Sequence, residues 1–209
     1  MEEQTQTHSY RTLEQPSEGL YVEKRSKFLS FAIPVDSEEK ALAEVEEIRR
    51  RYYDARHVCW AYRIGKREKV ERDNDDGEPS STAGKPILGQ LHSHDLTDLV
   101  IAVVRYFGGV KLGTGGLIVA YRSAAEQAIL NGKVVEHQLF TEYQLRFPYE
   151  LINPLMMLLR AHDAETLRSD SNLEGYVWYV KVPDSRVGAF EEASDALYQL
   201  QYTREGEEG

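Results

Sequence analysis

The stretch Arg105-Tyr106-Phe107-Gly108-Gly109-Val110-Lys111-Leu112-Gly113-Thr114-Gly115-Gly116 places five glycines within nine residues, between two apolar segments. The preceding run Leu99–Val104 is continuously apolar and reads as a strand buried on both faces. The following residues Leu117, Tyr121, Ala124 and Ala128 form one helical stripe, with Ile118, Ala125 and Ile129 beside it and Asn131-Gly132 as a stop. The glycines therefore sit at a strand-to-helix turn and open the helix. The first N–H groups of a helix lack intrahelical partners, and its dipole favours negative charge there. Arg105 and Lys111 flank the turn, so Arg105, Gly108, Gly109, Lys111, Gly113, Thr114, Gly115 and Gly116 form a candidate phosphate site. Arg122, two turns into the helix, is a candidate support. The alternative is plain packing, glycines letting a helix lie close on a sheet. The loop fits neither the Walker pattern nor the dinucleotide fingerprint.

Charge divides the chain of 209 residues. Residues 136–209 hold 6 Lys+Arg against 14 Asp+Glu, whereas residues 1–135 are almost balanced, with 19 against 21. This asymmetry predicts two domains, at 18–135 and 136–204, with a disordered lead over 1–17 and an acidic tail over 205–209. The net charge of −10 argues against a non-specific nucleic-acid coat. The polar start carries no leader signal, no run reaches membrane-spanning length, and a lone cysteine, Cys59, excludes internal disulfides. A cytoplasmic protein without membrane contact is the expectation.

Along the first domain, Leu20–Lys24 and Lys27–Val35 read as strands, and Asp36-Ser37-Glu38-Glu39 as a capped helix start. Leu42, Val45, Ile48 and Tyr52 give that helix its stripe; Arg49-Arg50-Arg51 reads as its solvated basic end. Alternation over Val58–Ile64 predicts a half-buried strand, and Lys66–Glu78 a charged loop. Asp75-Asp76-Gly77-Glu78-Pro79 is turn chemistry, and Ser80-Ser81-Thr82 can cap a helix running toward Leu91. Asp75, Asp76 and Glu78 lie close enough in sequence to hold Mg²⁺, though a solvated turn explains them equally. Arg56, His57, Arg63, Asp76, Glu78, Ser80, Thr82 and Lys85 are candidate cleft residues. In the second domain the order of periodicities is β-α-β-β-α, with a last strand near Gln199–Thr203; this order is ferredoxin-like. Its aromatics read as core and sheet packing rather than base-stacking platforms.

Two long motifs carry a family resemblance. Asp76-Gly77-Glu78-Pro79-Ser80-Ser81-Thr82-Ala83-Gly84-Lys85-Pro86 and Val103-Val104-Arg105-Tyr106-Phe107-Gly108-Gly109-Val110-Lys111-Leu112-Gly113-Thr114-Gly115-Gly116-Leu117 resemble the IMPACT family, nearest its bacterial YigZ-like branch. Ser81 departs from the glycine more usual there. The resemblance implies an α+β chain: a first domain like the second domain of ribosomal protein S5, with helices on one face of a sheet, then a small domain like the last domain of the translocation elongation factor. It also implies a link to translation and its regulation, with RNA or ribosome components as partners. The stress-kinase role of eukaryotic members is tied to an extra N-terminal domain and is not carried over.

Two functions compete at this point. One is a translation-associated binding protein with an RNA-phosphate or nucleotide site at the glycine loop and no cofactor. The other is a Mg²⁺-dependent nucleotide-binding enzyme, phosphotransferase- or hydrolase-like. The sequence offers no catalytic base or nucleophile constellation, which favours binding.

Overall fold

A computed structural model describes residues 8–205. The chain divides into two compact units, one of Tyr10–His137 and one whose described residues are 138–205 with His8 and Ser9.

The first unit begins with β1 (Ser9–Leu13), β2 (Ser17–Glu23) and β3 (Ser26–Pro34), followed by α1 (Glu38–Arg51), β4 (His57–Ile64) and β5 (Val70–Asn74). It continues through α2 (Gly84–Ser93), β6 (Leu99–Tyr106), α3 (Gly113–Asn131) and β7 (Val134–Gln138). An antiparallel sheet of order β2-β3-β6-β4-β5 forms its centre, and β1 pairs with β7. Period-two alternation sends neighbouring residues of β4 and β6 to opposite sides. Cys59, Ala61, Ile101 and Val103 pack against α2 and α3, through Ile87, Leu91, Leu117, Tyr121 and Ala124. Val58, Trp60, Tyr62, Val100, Ala102 and Val104 pack against Ala41, Val45 and Ile48 of α1. Helices therefore cover both faces, which corrects the expected one-faced sheet. It also buries β4 on both sides, where its alternating pattern suggested half-burial. The apolar run of β6 carries the reason: a strand without a polar side needs cover on each face.

Two further expectations change. Residues 9–13 of the expected disordered lead form β1, held by pairing to β7 and by the Glu14 N–H donating to the Lys133 carbonyl at 2.9 Å. Residues 1–7, and 206–209 of the expected tail, lie outside the described residues. Within the expected loop 66–78, β5 is an edge strand whose charged, exposed side chains hid it from any apolar signal.

The second unit contains β8 (Phe140–Phe147), a 3-10 turn (Tyr149–Leu151), α4 (Ile152–Ala161), β9 (Glu165–Asn172), β10 (Gly175–Pro183), α5 (Val187–Asp195) and β11 (Gln201–Arg204). Its antiparallel sheet has the order β11-β8-β10-β9. Tyr143, Leu145, Phe147, Val180 and Val182 pack on Leu155, Leu159 and Phe190, and Tyr176 and Trp178 join this core. Among the described residues no helix is long and apolar enough to cross a membrane.

Candidate anion site at the start of α3

The acidic turn organises the approach to α3. Asp76 and Gly77 take left-handed backbone (φ 42° and 83°), as Asp-Gly turn chemistry predicts. The three carboxylates then diverge. Asp75 accepts N–H bonds from Ser81 at 2.7 Å and from Ala83 and Gly84 at 2.9 Å, so it caps α2. Asp76 accepts from the Val58 N–H at 2.6 Å and pairs with Arg49 at 3.1 Å. Glu78 points inward to Arg105 (2.5 Å) and to the Tyr121 hydroxyl, which donates at 2.8 Å. No group of three or more His, Cys, Asp or Glu among the described residues is placed to hold a metal ion. The Asp75, Asp76 and Glu78 carboxylates, read from sequence as either a solvated turn or a Mg²⁺ site, serve as a helix cap, a strand clamp and half of a buried ion pair. Arg49, expected to be a solvated helix end, is one of the clamps.

The α2 cap also comes from Asp75 rather than from Ser80, Ser81 or Thr82. Thr82 is buried with its hydroxyl donating to the Pro79 carbonyl at 2.6 Å, and α2 begins without a side-chain cap of its own. Ser81 stands at φ 62°, a conformation that a glycine adopts without strain. Burial raises the Asp75 carboxyl, but the N–H donors of Gly84, Ser81 and Ala83 outweigh it and leave it below its ordinary 3.8. A carboxyl lowered by folding stabilises above its unfolded value and loses that contribution as pH falls through the folded one. Asp75→Asn should therefore cost about 1–2 kcal/mol at pH 7. It should also reduce the loss of stability between pH 5 and pH 2, which urea unfolding across that range measures.

Arg105 is the last residue but one of β6 and is 7% exposed. Its guanidinium lies between the rings of Phe28 (5.5 Å) and Phe107 (5.7 Å), and its Nε has no hydrogen-bond partner among the described residues. Its charge is matched by Glu78, so its place is in the wall of the site rather than as a free phosphate ligand. Tyr121 completes this buried group, with Cys59 Sγ 3.4 Å from its hydroxyl. Burial, and then Cys59 and Glu78, push that hydroxyl far above the ordinary tyrosine value. The Cys59 thiol, likewise raised by burial, is not a nucleophile.

Over this wall lies a cavity of about 430 Å³ lined by Arg56, His57, Glu78, Pro79, Arg105, Phe107, Lys111, Leu112, Gly113, Thr114 and Leu117. Its apolar side is Pro79, Phe107, Leu112 and Leu117. Its cations are Arg56 and Lys111, both exposed and without an ion-pair partner among the described residues. His57 Nδ1 meets the Asp76 carbonyl at 2.7 Å. A carbonyl only accepts, so Nδ1 carries the hydrogen and Nε2 is the remaining ring nitrogen. The first turn of α3 opens here with no side-chain cap.

The glycines divide by role. A Cβ on Gly108 would stand 2.1 Å from the Arg25 carbonyl carbon, so packing requires that glycine. Gly109 and Gly113 take φ 86° and 73°. A Cβ on Gly115 would meet nothing within 4 Å, and on Gly116 only the Leu112 Cβ at 3.0 Å. Neither packing nor conformation accounts for Gly115.

Four predicted site residues lie elsewhere. Arg63 is at the far end of β4, paired with Glu71 (2.9 Å) and Asp95 (3.2 Å). Lys85 and Arg122 line a separate recess with Ser81, Pro86, Gly89, Gln90, Ser93 and Ile118, so Arg122 does not support the glycine loop. Helical spacing decides this, since Leu117 and Ile118 turn to different sides of α3. Ser80 is exposed and lines neither hollow. Phe107 and Leu112, part of the glycine stretch but not among the candidate site residues, prove to be cavity walls.

Comparison with known proteins places these features. The Impact N-terminal domain matches residues 24–129. IMPACT family member YvyE of Bacillus subtilis is 34% identical over 175 residues, covering 80% of this chain and 81% of that protein. IMPACT family member YigZ of Escherichia coli is 36% identical over 170 residues, covering 80% and 82%. A crystal structure of a hypothetical protein superposes with a TM-score of 0.66 at 32% identity, covering 97% of this chain and all of that one.

Proposed function

Because the chain belongs to the IMPACT family, we propose that it is a translation-associated binding protein whose cavity at the start of α3 takes a phosphate of RNA. The translation link comes from the family. The first unit is read as the S5-domain-2-like element, modified by α1 on its second face. The second is read as ferredoxin-like, in keeping with its βαββαβ order and antiparallel β11-β8-β10-β9 sheet.

One observation carries the proposal: Arg56, Lys111 and the uncapped N-terminus of α3 converge on one cavity, and neither cation has an ion-pair partner among the described residues. Arg105 and Glu78 neutralise each other beneath them, so the net charge presented to a ligand is positive in an otherwise acidic protein. Phe107, 57% exposed, offers a ring edge or face beside the phosphate position. The cavity size suits a nucleotide-sized group. The Mg²⁺-dependent enzyme reading draws no support from the acidic turn, whose carboxylates already serve the fold.

Lys111→Ala tests the proposal. Affinity for a short single-stranded RNA should fall by about 1–3 kcal/mol, or ~5–150-fold. The slope of log K against log salt should flatten by about 0.7, one phosphate's share on a single strand. Unchanged affinity and slope in both Lys111→Ala and Arg56→Ala would remove the site.

A further inference from the structure

The recess lined by Lys85 and Arg122, about 460 Å³ in volume, lies between α2 and α3. Gly113, Thr114 and Leu117 line the cavity described above, whereas Ile118 and Arg122 line this recess. Successive helical residues are about 100° apart, so the first turns of α3 form a ridge with a hollow on each flank.

The second hollow has charge. Lys85 comes from α2 and Arg122 from α3; both are exposed, neither has an ion-pair partner among the described residues, and no carboxylate shares the lining. It also has an uncharged polar group without an internal partner. Gln90 is 7% exposed and lines the recess, yet its side-chain amide makes no hydrogen bond among the described residues. A primary amide brings two donors and an acceptor, and those of Gln90 are open to the recess rather than sealed in the core, so they are available to a ligand there. Beside it, a Cβ on Gly89 would meet nothing within 4 Å, so the floor stays open.

We propose that this recess is a second nucleotide subsite for single-stranded RNA, in which Lys85 and Arg122 hold a phosphate and the Gln90 amide hydrogen-bonds a base edge. It rests on the reading of the first cavity as a phosphate site: a strand crossing the α3 ridge sets one nucleotide in each hollow. A single strand is required, because only unpaired bases present their edges to a buried amide. The first cavity then supplies sequence-independent affinity, and Gln90 supplies the base preference.

The test is fluorescence anisotropy with short oligoribonucleotides of each single base, titrated at several salt concentrations, with melting temperatures recorded for every variant. The double variant Lys85→Ala/Arg122→Ala should lose at least about tenfold in affinity and about 0.7 in salt slope. Gln90→Leu, and Gln90→Met as a second variant, should keep the slope while bringing the four oligomers to nearly equal affinity. If the recess variants leave affinity and base preference unchanged while Lys111→Ala still weakens binding, the recess is idle and this proposal falls alone. If the recess variants weaken binding and Lys111→Ala does not, the recess stands and the first-cavity reading falls. A wild type without any base preference overturns the role of Gln90.

Discussion

Glu78→Ala should destabilise the first unit by about 3–5 kcal/mol, because it strands the Arg105 guanidinium as an uncompensated buried charge. The side chains of Arg105 and Glu78 are only 9% and 4% exposed, and Glu78 is also the acceptor for the buried Tyr121 hydroxyl. One substitution thus orphans a cation and a donor together. Adding Arg105→Met to Glu78→Ala should recover a large part of the loss, since an apolar pair of similar volume needs no desolvated charge. Urea unfolding of wild type, single and double variants measures both effects. A single-variant loss below about 1 kcal/mol would mean that water reaches the pair, and the neutral wall beneath the cations would be wrong.

Gly108→Ala should be almost as costly, at about 3 kcal/mol or more. The added Cβ would meet the Arg25 carbonyl carbon at 2.1 Å and the Ser26 nitrogen at 2.3 Å. These are backbone atoms of the tight β2–β3 turn, where Lys24 and Arg25 already stand at φ 44° and 65°. The turn has no inexpensive way to retreat, and the Gly108 N–H bond to Ser26 Oγ (3.1 Å) would be strained with it. A melting temperature within a degree or two of wild type would show the contact to be softer than the structure has it.

What the sequence made legible follows from periodicity. The β6 run, the α3 stripe and the alternating strands of the second unit announce themselves because burial acts on side chains at fixed spacing. β1 and β5 escape that reading for different reasons: β1 has only five residues and a single buried aliphatic, Leu13, while β5 is an edge strand whose exposed charged residues leave no apolar trace. The glycine loop was recognisable as a strand-to-helix turn, and Lys111, Arg56 and His57 do meet there. The fate of the charges was not readable. Asp75, Asp76 and Glu78 are neighbours in sequence yet serve three partners, and Arg105 loses its free charge to Glu78 across 27 residues. Long-range pairing of this kind depends on where the strands place each side chain, which local pattern does not encode. Arg122 went astray through a single residue of helical phase.

The central claim is that the N-terminal turn of α3 is open for a phosphate, and Gly115 is where that claim separates from packing. Its Cβ position is empty, and its φ lies outside the left-handed region. Gly115→Ala should therefore leave the melting temperature unchanged or raise it, since alanine is favoured over glycine in a helix by up to about 1 kcal/mol. Gly115 belongs to the uncapped first turn of α3, and if a phosphate docks against the N–H groups of that turn the added methyl narrows its approach, so affinity for single-stranded RNA should fall by roughly tenfold or more. Measuring affinity and melting temperature on this one variant is the most direct test. Stability kept with affinity lost is the predicted result; stability kept with affinity also kept would contradict the account.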